Sequence, residues 1–246
     1  MLVADRLTKD FGPHRAVDDV SFTLERGEVL GFLGPNGAGK TTTMRMLAGG
    51  LEPDAGRASI AGHDCVAGRL DAQARLGYLP EGAPAYPSMT PRDFVRFSLR
   101  ARGFTGAAIG RACERALDRA SLGRYAHQPI GTLSKGYKRR AALAAAIAHD
   151  PVVLILDEPT DGLDPNQKDG VRQLIRDMAP DKAIIISTHI LEEVPAVCSR
   201  AIVIAQGRLL FDGTPRALSA IADDQRIEAA FRVLTSKPQT GTEAAA

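Results

Sequence analysis

The stretch Gly34-Pro35-Asn36-Gly37-Ala38-Gly39-Lys40-Thr41 constrains this chain more than any other part of it. It matches GxxxxGK[ST] and joins an apolar run, Val29–Leu33, to a helical stretch from Lys40 to Ala48. A loop of this composition turns backbone N–H groups inward around an anion, and the start of the following helix adds its positive end. The spacing places Lys40 to reach β- and γ-phosphates and the Thr41 hydroxyl to ligate Mg²⁺. A strand running through such a loop into a helix commits this region to an α/β fold.

Such a site needs a second acidic element, and Val152–Leu156 followed by Asp157 supplies it. An apolar run that ends in a carboxylate puts that group at the carboxyl edge of a sheet, where ligands of open α/β folds bind. Asp157 is expected to hold Mg²⁺ through water, and Glu158, pointing the other way, to act as general base on an attacking water. A helix near Gln167–Met178 and a strand at Ala183–Ser187 follow, an alternation that predicts a parallel sheet. Ile202–Ala205, Gln206-Gly207 and Arg208–Phe211 read as a hairpin.

The texture differs in two other regions. Before Leu33 short apolar runs alternate with turn signals at Gly12-Pro13 and Arg26-Gly27-Glu28, which predicts two or three strands in an antiparallel element. From Thr90, an N-cap followed by Pro91, helices dominate up to Asp150. The division expected is a single domain, 1–235, with a core at 1–83 and 151–220 and a helical insert at 84–150. The small, polar residues 236–246 are expected to be disordered.

Composition excludes several roles. With 31 basic against 29 acidic side chains the net charge is +2, too small to draw the chain to nucleic acid or anionic lipid. The three cysteines, Cys65, Cys113 and Cys198, form no CxxC pair, so neither a disulfide framework nor a zinc site is expected, and a reducing compartment is. No apolar stretch approaches the roughly 20 residues that span a bilayer, and Met1–Phe11 lacks the apolar core of a signal peptide.

A third segment, Leu133-Ser134-Lys135-Gly136-Tyr137, precedes the alanine-rich stretch Ala141–Ala148. On the residues alone Ser134 reads as a helix N-cap. Together with the phosphate loop, the strand ending Asp157-Glu158, Asp161-Gly162-Leu163-Asp164 and His189, it resembles the ABC transporter ATPases, over about Leu2 to Gly213. The resemblance implies a P-loop NTPase (RecA-like) core with an N-terminal antiparallel β element and an inserted helical subdomain. It implies ATP and Mg²⁺, with Asn36, Gly37, Ala38, Gly39, Lys40, Thr41 and Thr42 around the phosphates and Phe11 stacked on adenine. It further implies a head-to-tail homodimer or heterodimer, in which Ser134 and Gly136 contact the γ-phosphate held by the neighbouring chain and Asp164 lies at the dimer contact. His189 would touch the γ-phosphate and help hold the attacking water.

The sequence departs from the family pattern where Glu81 follows Gly77-Tyr78-Leu79-Pro80 in place of glutamine, a carboxylate suited to Mg²⁺ or water. Lys135 stands in place of glycine and Tyr137 in place of glutamine. Both departures resemble a subgroup serving exporters whose transmembrane permease is a separate chain. The expectation is therefore an ATPase subunit at the cytoplasmic face of a membrane, driving such a permease. The competing class is a non-transport ABC ATPase working on a ribosome, DNA or a protein assembly; a P-loop kinase or switch GTPase is disfavoured by Leu133–Tyr137 and His189. The arginines of the insert lack interleaved aromatics, so no nucleic acid is expected. Phe94, Val95, Phe97 and Leu99 are candidates either for permease contact or for the insert's own core. After Ile221 no added ligand domain is expected.

Overall fold

A computed structural model describes residues 1–236. Its strands are β1 (Leu2–Phe11), β2 (His14–Leu24), β3 (Val29–Leu33), β4 (Ala55–Ile60), β5 (His63–Asp64), β6 (Leu76–Leu79), β7 (Val153–Asp157), β8 (Ala183–Thr188), β9 (Arg200–Ala205) and β10 (Arg208–Gly213). Its α-helices are α1 (Lys40–Leu47), α2 (Arg69–Ala74), α3 (Pro91–Ala101), α4 (Gly106–Arg119), α5 (Lys135–Ile147), α6 (Pro165–Met178), α7 (Val194–Val197), α8 (Pro215–Ser219) and α9 (Ile227–Ser236).

Every side chain of β3, β7 and β8 is buried, as expected of parallel strands covered on both faces. Alternate residues point to opposite layers. Leu154 and Leu156 of β7 and Ile184 and Ile186 of β8 join the helical insert. Val153, Ile155, Ala183 and Ile185 join α1 and the first strands. Each such buried valine, leucine or isoleucine contributes about 1.5–3 kcal/mol. The six-stranded sheet runs β10-β9-β3-β8-β7-β6, parallel except for the β9–β10 hairpin. A second, antiparallel sheet runs β2-β1-β4-β5.

Register in the parallel sheet positions the site. Leu33, which leads into the glycine loop, lies opposite Thr188, and Asp157 lies opposite Ser187. The loops after β3, β7 and β8 therefore leave the same edge of the sheet side by side. The strand expected at Val152–Leu156 runs from Val153 to Asp157, and Asp157 itself pairs in the ladder.

In the insert, α3 starts as its sequence predicts: Thr90 Oγ1 accepts from the Asp93 amide at 3.1 Å, with Pro91 in the first turn. Val95 and Leu99 are fully buried among α4 and α5, which settles them as core residues, whereas Phe97 remains exposed and Phe94 packs at the rim. The small side chains Ala141–Ala148 are buried throughout, so α5 approaches the sheet closely. Near the C-terminus, α9 sets Ile227 and Ala230 against Leu33, Ala201, Val203 and Leu218. Ser236 closes that helix rather than opening a disordered tail, and 237–246 lie outside the described residues. Among the described residues no helix is long and apolar enough to cross a membrane.

Candidate active site

The glycine loop folds tightly against β2. Gly39 has φ +101°, and a Cβ there would overlap the Ala16 carbonyl, so only glycine fits. Lys40 follows at the start of α1, largely buried, with Nζ donating to the carbonyls of Gly34 at 2.7 Å and Pro35 at 3.1 Å. Burial lowers its pKa, and Glu158, Asp157 and Glu81 act in the opposite direction. One cation thus lies within electrostatic reach of three carboxylates contributed by two separate segments, the residue after Pro80 and the pair that ends β7.

The two acids after β7 diverge. Asp157 is buried; one oxygen accepts from the Ser187 hydroxyl and the other, Oδ2, has no partner. A buried acceptor left unpaired costs about 1–3 kcal/mol; a hydrated divalent cation would satisfy it, so the oxygens of Asp157, Thr41 and Glu81 fit Mg²⁺. Glu158 takes a left-handed backbone, φ +52°, which turns the chain sharply out of the strand. Its amide donates to the Ser187 carbonyl at 3.1 Å, and its Oε2 lies 2.8 Å from His189 Nδ1. Behind this turn, the buried Glu193 accepts from Thr160 Oγ1 at 2.6 Å and from Arg172 Nη2 at 2.9 Å, with Lys168 Nζ at 3.4 Å. This brace has no sequence signal, since Glu193 reads as a surface acid.

A cleft of about 470 Å³ opens over these groups, and Phe11, Asn36, Gly37, Ala38, Gly39, Lys40, Thr41, Thr42, Glu81, Asp157 and Glu158 all line it. His14 and Ala16 line it too. Neither was singled out by sequence, although His14 stands only three residues beyond Phe11 on the same hairpin. A larger groove, about 660 Å³, lies at the opposite edge of the sheet, and its charges pair with one another, as Lys182 does with Asp150 at 2.7 Å.

The remaining sequence candidates lie elsewhere. His189 reaches the cleft only through Glu158. Ser134 caps α5, accepting from the Tyr137 amide at 3.5 Å, and Asp164 caps α6, accepting from the Gln167 amide at 3.0 Å. A Cβ on Gly136 would overlap Gln167 Oε1, so the first turns of α5 and α6 are pressed together. Tyr137 packs on Tyr125 with ring centroids 4.0 Å apart, which accounts for an aromatic side chain at that position.

The family model described as ABC transporter matches residues 17–161, more than half of the chain. The chain belongs to the ABC transporter family. As an ABC ATPase subunit it is 41% identical over 211 residues to the Nod factor export ATP-binding protein I of Burkholderia lata, covering 85% of this chain and 69% of that protein. It is 36% identical over 225 residues to the ABC transporter ATP-binding protein NatA of Bacillus subtilis, covering 91% and 90% respectively. Among solved structures, the ATP binding subunit of an ABC transporter superposes with a TM-score of 0.86 at 27% identity, covering 96% of this chain and all of that one. ABC ATPases bind and hydrolyse ATP, and the kinase and GTPase readings are set aside.

Proposed function

We propose that this chain hydrolyses ATP with Glu158 as general base and that its cycle drives a separate transmembrane exporter subunit. The observation that carries the catalytic part is the 2.8 Å contact of Glu158 with His189 beside the buried Lys40 and Asp157. Lys40 and the amides of Asn36–Thr42 bind the phosphates, and Phe11 stacks on the base. Bound Mg²⁺, held by Thr41, Asp157 and Glu81, would neutralise phosphate charge. Glu158 takes a proton from the attacking water as that oxygen bonds to the γ-phosphorus and ADP leaves. His189 fixes the carboxylate and the water. Positioned general bases contribute about 10²–10⁴-fold.

The start of α5 supports a dimer. Ser134 and the free amides of that turn make an anion site, yet they do not line the cleft of their own chain. In a head-to-tail pair they complete the neighbour's site, with Asp164 at the contact, and each closed dimer holds two ATP. The exporter assignment is supported by the Nod factor export relative. Tyr86 and Phe97, exposed and edge-to-face at 5.6 Å on the insert, offer a permease an aromatic contact at the cytoplasmic face of the membrane.

The test is affinity capture of the Glu158→Gln chain from its native membranes with Mg-ATP present. A polytopic membrane protein among the bound partners supports the transporter reading. Recovery of ribosomal or DNA-bound proteins alone overturns it.

A further inference from the structure

The start of α5 and the loop after Glu158 are joined by contacts that hydrolysis in a single site does not require. Lys135 Nζ lies 3.0 Å from Asp161 Oδ2. Arg139, one helical turn along the same face, brings Nη2 to 3.6 Å of that oxygen. Arg139 is buried, so its charge is fixed in place beside the carboxylate. The Asp161 amide donates to the Glu158 carbonyl at 3.2 Å, which makes Asp161 the far end of the tight turn that Glu158 begins. The Lys135 ammonium holds the Asp161 carboxyl below the usual carboxylate range, with Arg139 and His189 adding to the effect. One carboxylate thus faces the cations of α5 and lies within electrostatic reach of His189, the partner of Glu158.

The backbone is shaped around this pair. Gly162 has φ +69°, and a Cβ there would come within 2.6 Å of Lys135 Nζ and 2.8 Å of its Cδ and Cε, so the lysine lies directly across the glycine. The side chains of Lys135 and Asp161 are 66% and 39% exposed, and an ion pair that open adds little to the fold. Its location is what matters, since it ties the residue after Ser134 to the turn that carries Glu158.

We propose that Lys135 and Asp161 are positioning residues that make the placement of Ser134 and the placement of the Glu158–His189 pair interdependent. A nucleotide of a second copy seated on Ser134 would then set the catalytic geometry of this chain's own site. The proposal rests on the head-to-tail reading above.

The test is steady-state ATP hydrolysis by the purified chain carrying Lys135→Met, Asp161→Asn or both. Each single variant is expected to lower kcat about five- to tenfold, the scale of ordinary site–site coupling, and to bring the Hill coefficient for ATP toward one. Affinity of the isolated chain for a fluorescent ATP analogue and the unfolding temperature are expected to stay at parental values. The double variant should lose no more than the worse single, and Lys135→Arg should retain most activity. ATP-driven dimerisation of the Glu158→Gln chain, followed by sedimentation, separates the two possible failures. A chain that stays monomeric overturns the dimer reading and this proposal with it. A chain that dimerises, while the single variants keep kcat and cooperativity or the double adds their losses, overturns this proposal alone.

Discussion

The phosphate loop and the start of α5 both present the amino end of a helix, but their surroundings differ. Around the first, Lys40, Asp157, Glu81 and Glu158 converge from separate segments on one cleft. Around the second there is a serine cap, an exposed lysine paired with Asp161, and a tyrosine stacked on a tyrosine. A helix terminus alone is a weak anion site; charge, burial and convergence make it a strong one. The first region has all of these within one chain, whereas the second would gain them only from a second copy, as the proposed dimer requires.

The largest effect should come from the completed region. Glu158→Gln keeps the shape and removes the proton acceptor, so ATP hydrolysis is expected to fall roughly 10³-fold while ATP binding persists. Phosphate release and equilibrium binding measured on the same preparation check this; a variant that turns over normally removes Glu158 from the role of base. Next comes Lys40→Ala. Charge-assisted hydrogen bonds are worth about 1.5–3 kcal/mol, so ATP affinity of the isolated chain should weaken by roughly 10- to 100-fold. Unchanged affinity would break the comparison at its strong end.

At the weak end, Ser134→Arg puts a bulky cation on an exposed cap. ATP binding by the isolated chain is expected to stay within about twofold, because Ser134 does not line the cleft. ATP-driven dimerisation in the Glu158→Gln background is expected to disappear. If dimers still form with ATP, the half-site interpretation is wrong.

The same contrast governs what the sequence made legible. Gly34–Thr41 and Val153–Asp157 are written in contiguous residues, because strand, turn and helix start are local structures with local chemistry. The helix start at Thr90 was legible for the same reason. Contacts between distant segments were not. Nothing local marks Glu193 as the buried partner of Thr160 and Arg172, or Asp161 as the partner of Lys135. Helix α9 escaped notice although Ile227, Ala230, Phe231 and Leu234 give it an apolar face, because it is short and follows a polar loop. Val95 and Leu99 stayed undecided between core and partner surface, since an amphipathic helix shows that it has an apolar face without showing what covers it.

The smallest expected effect is also the sharpest on Asp164, which the family resemblance places at a dimer contact while the structure shows it accepting from the Gln167 amide at 3.0 Å as the cap of α6. Asp164→Asn keeps a capping acceptor and removes the charge, whereas Asp164→Ala removes both. Loss of the cap should cost about 1 kcal/mol, or roughly 2–4 °C in unfolding temperature for a chain of this size, seen with alanine and nearly absent with asparagine. If capping is the whole role, Asp164→Asn hydrolyses ATP at the parental rate. If the asparagine chain is as stable as the parent yet dimerises poorly with ATP, the charge itself meets the second copy. In that case the weak region owes part of its function to a residue whose fold role and interface role only this pair of substitutions separates.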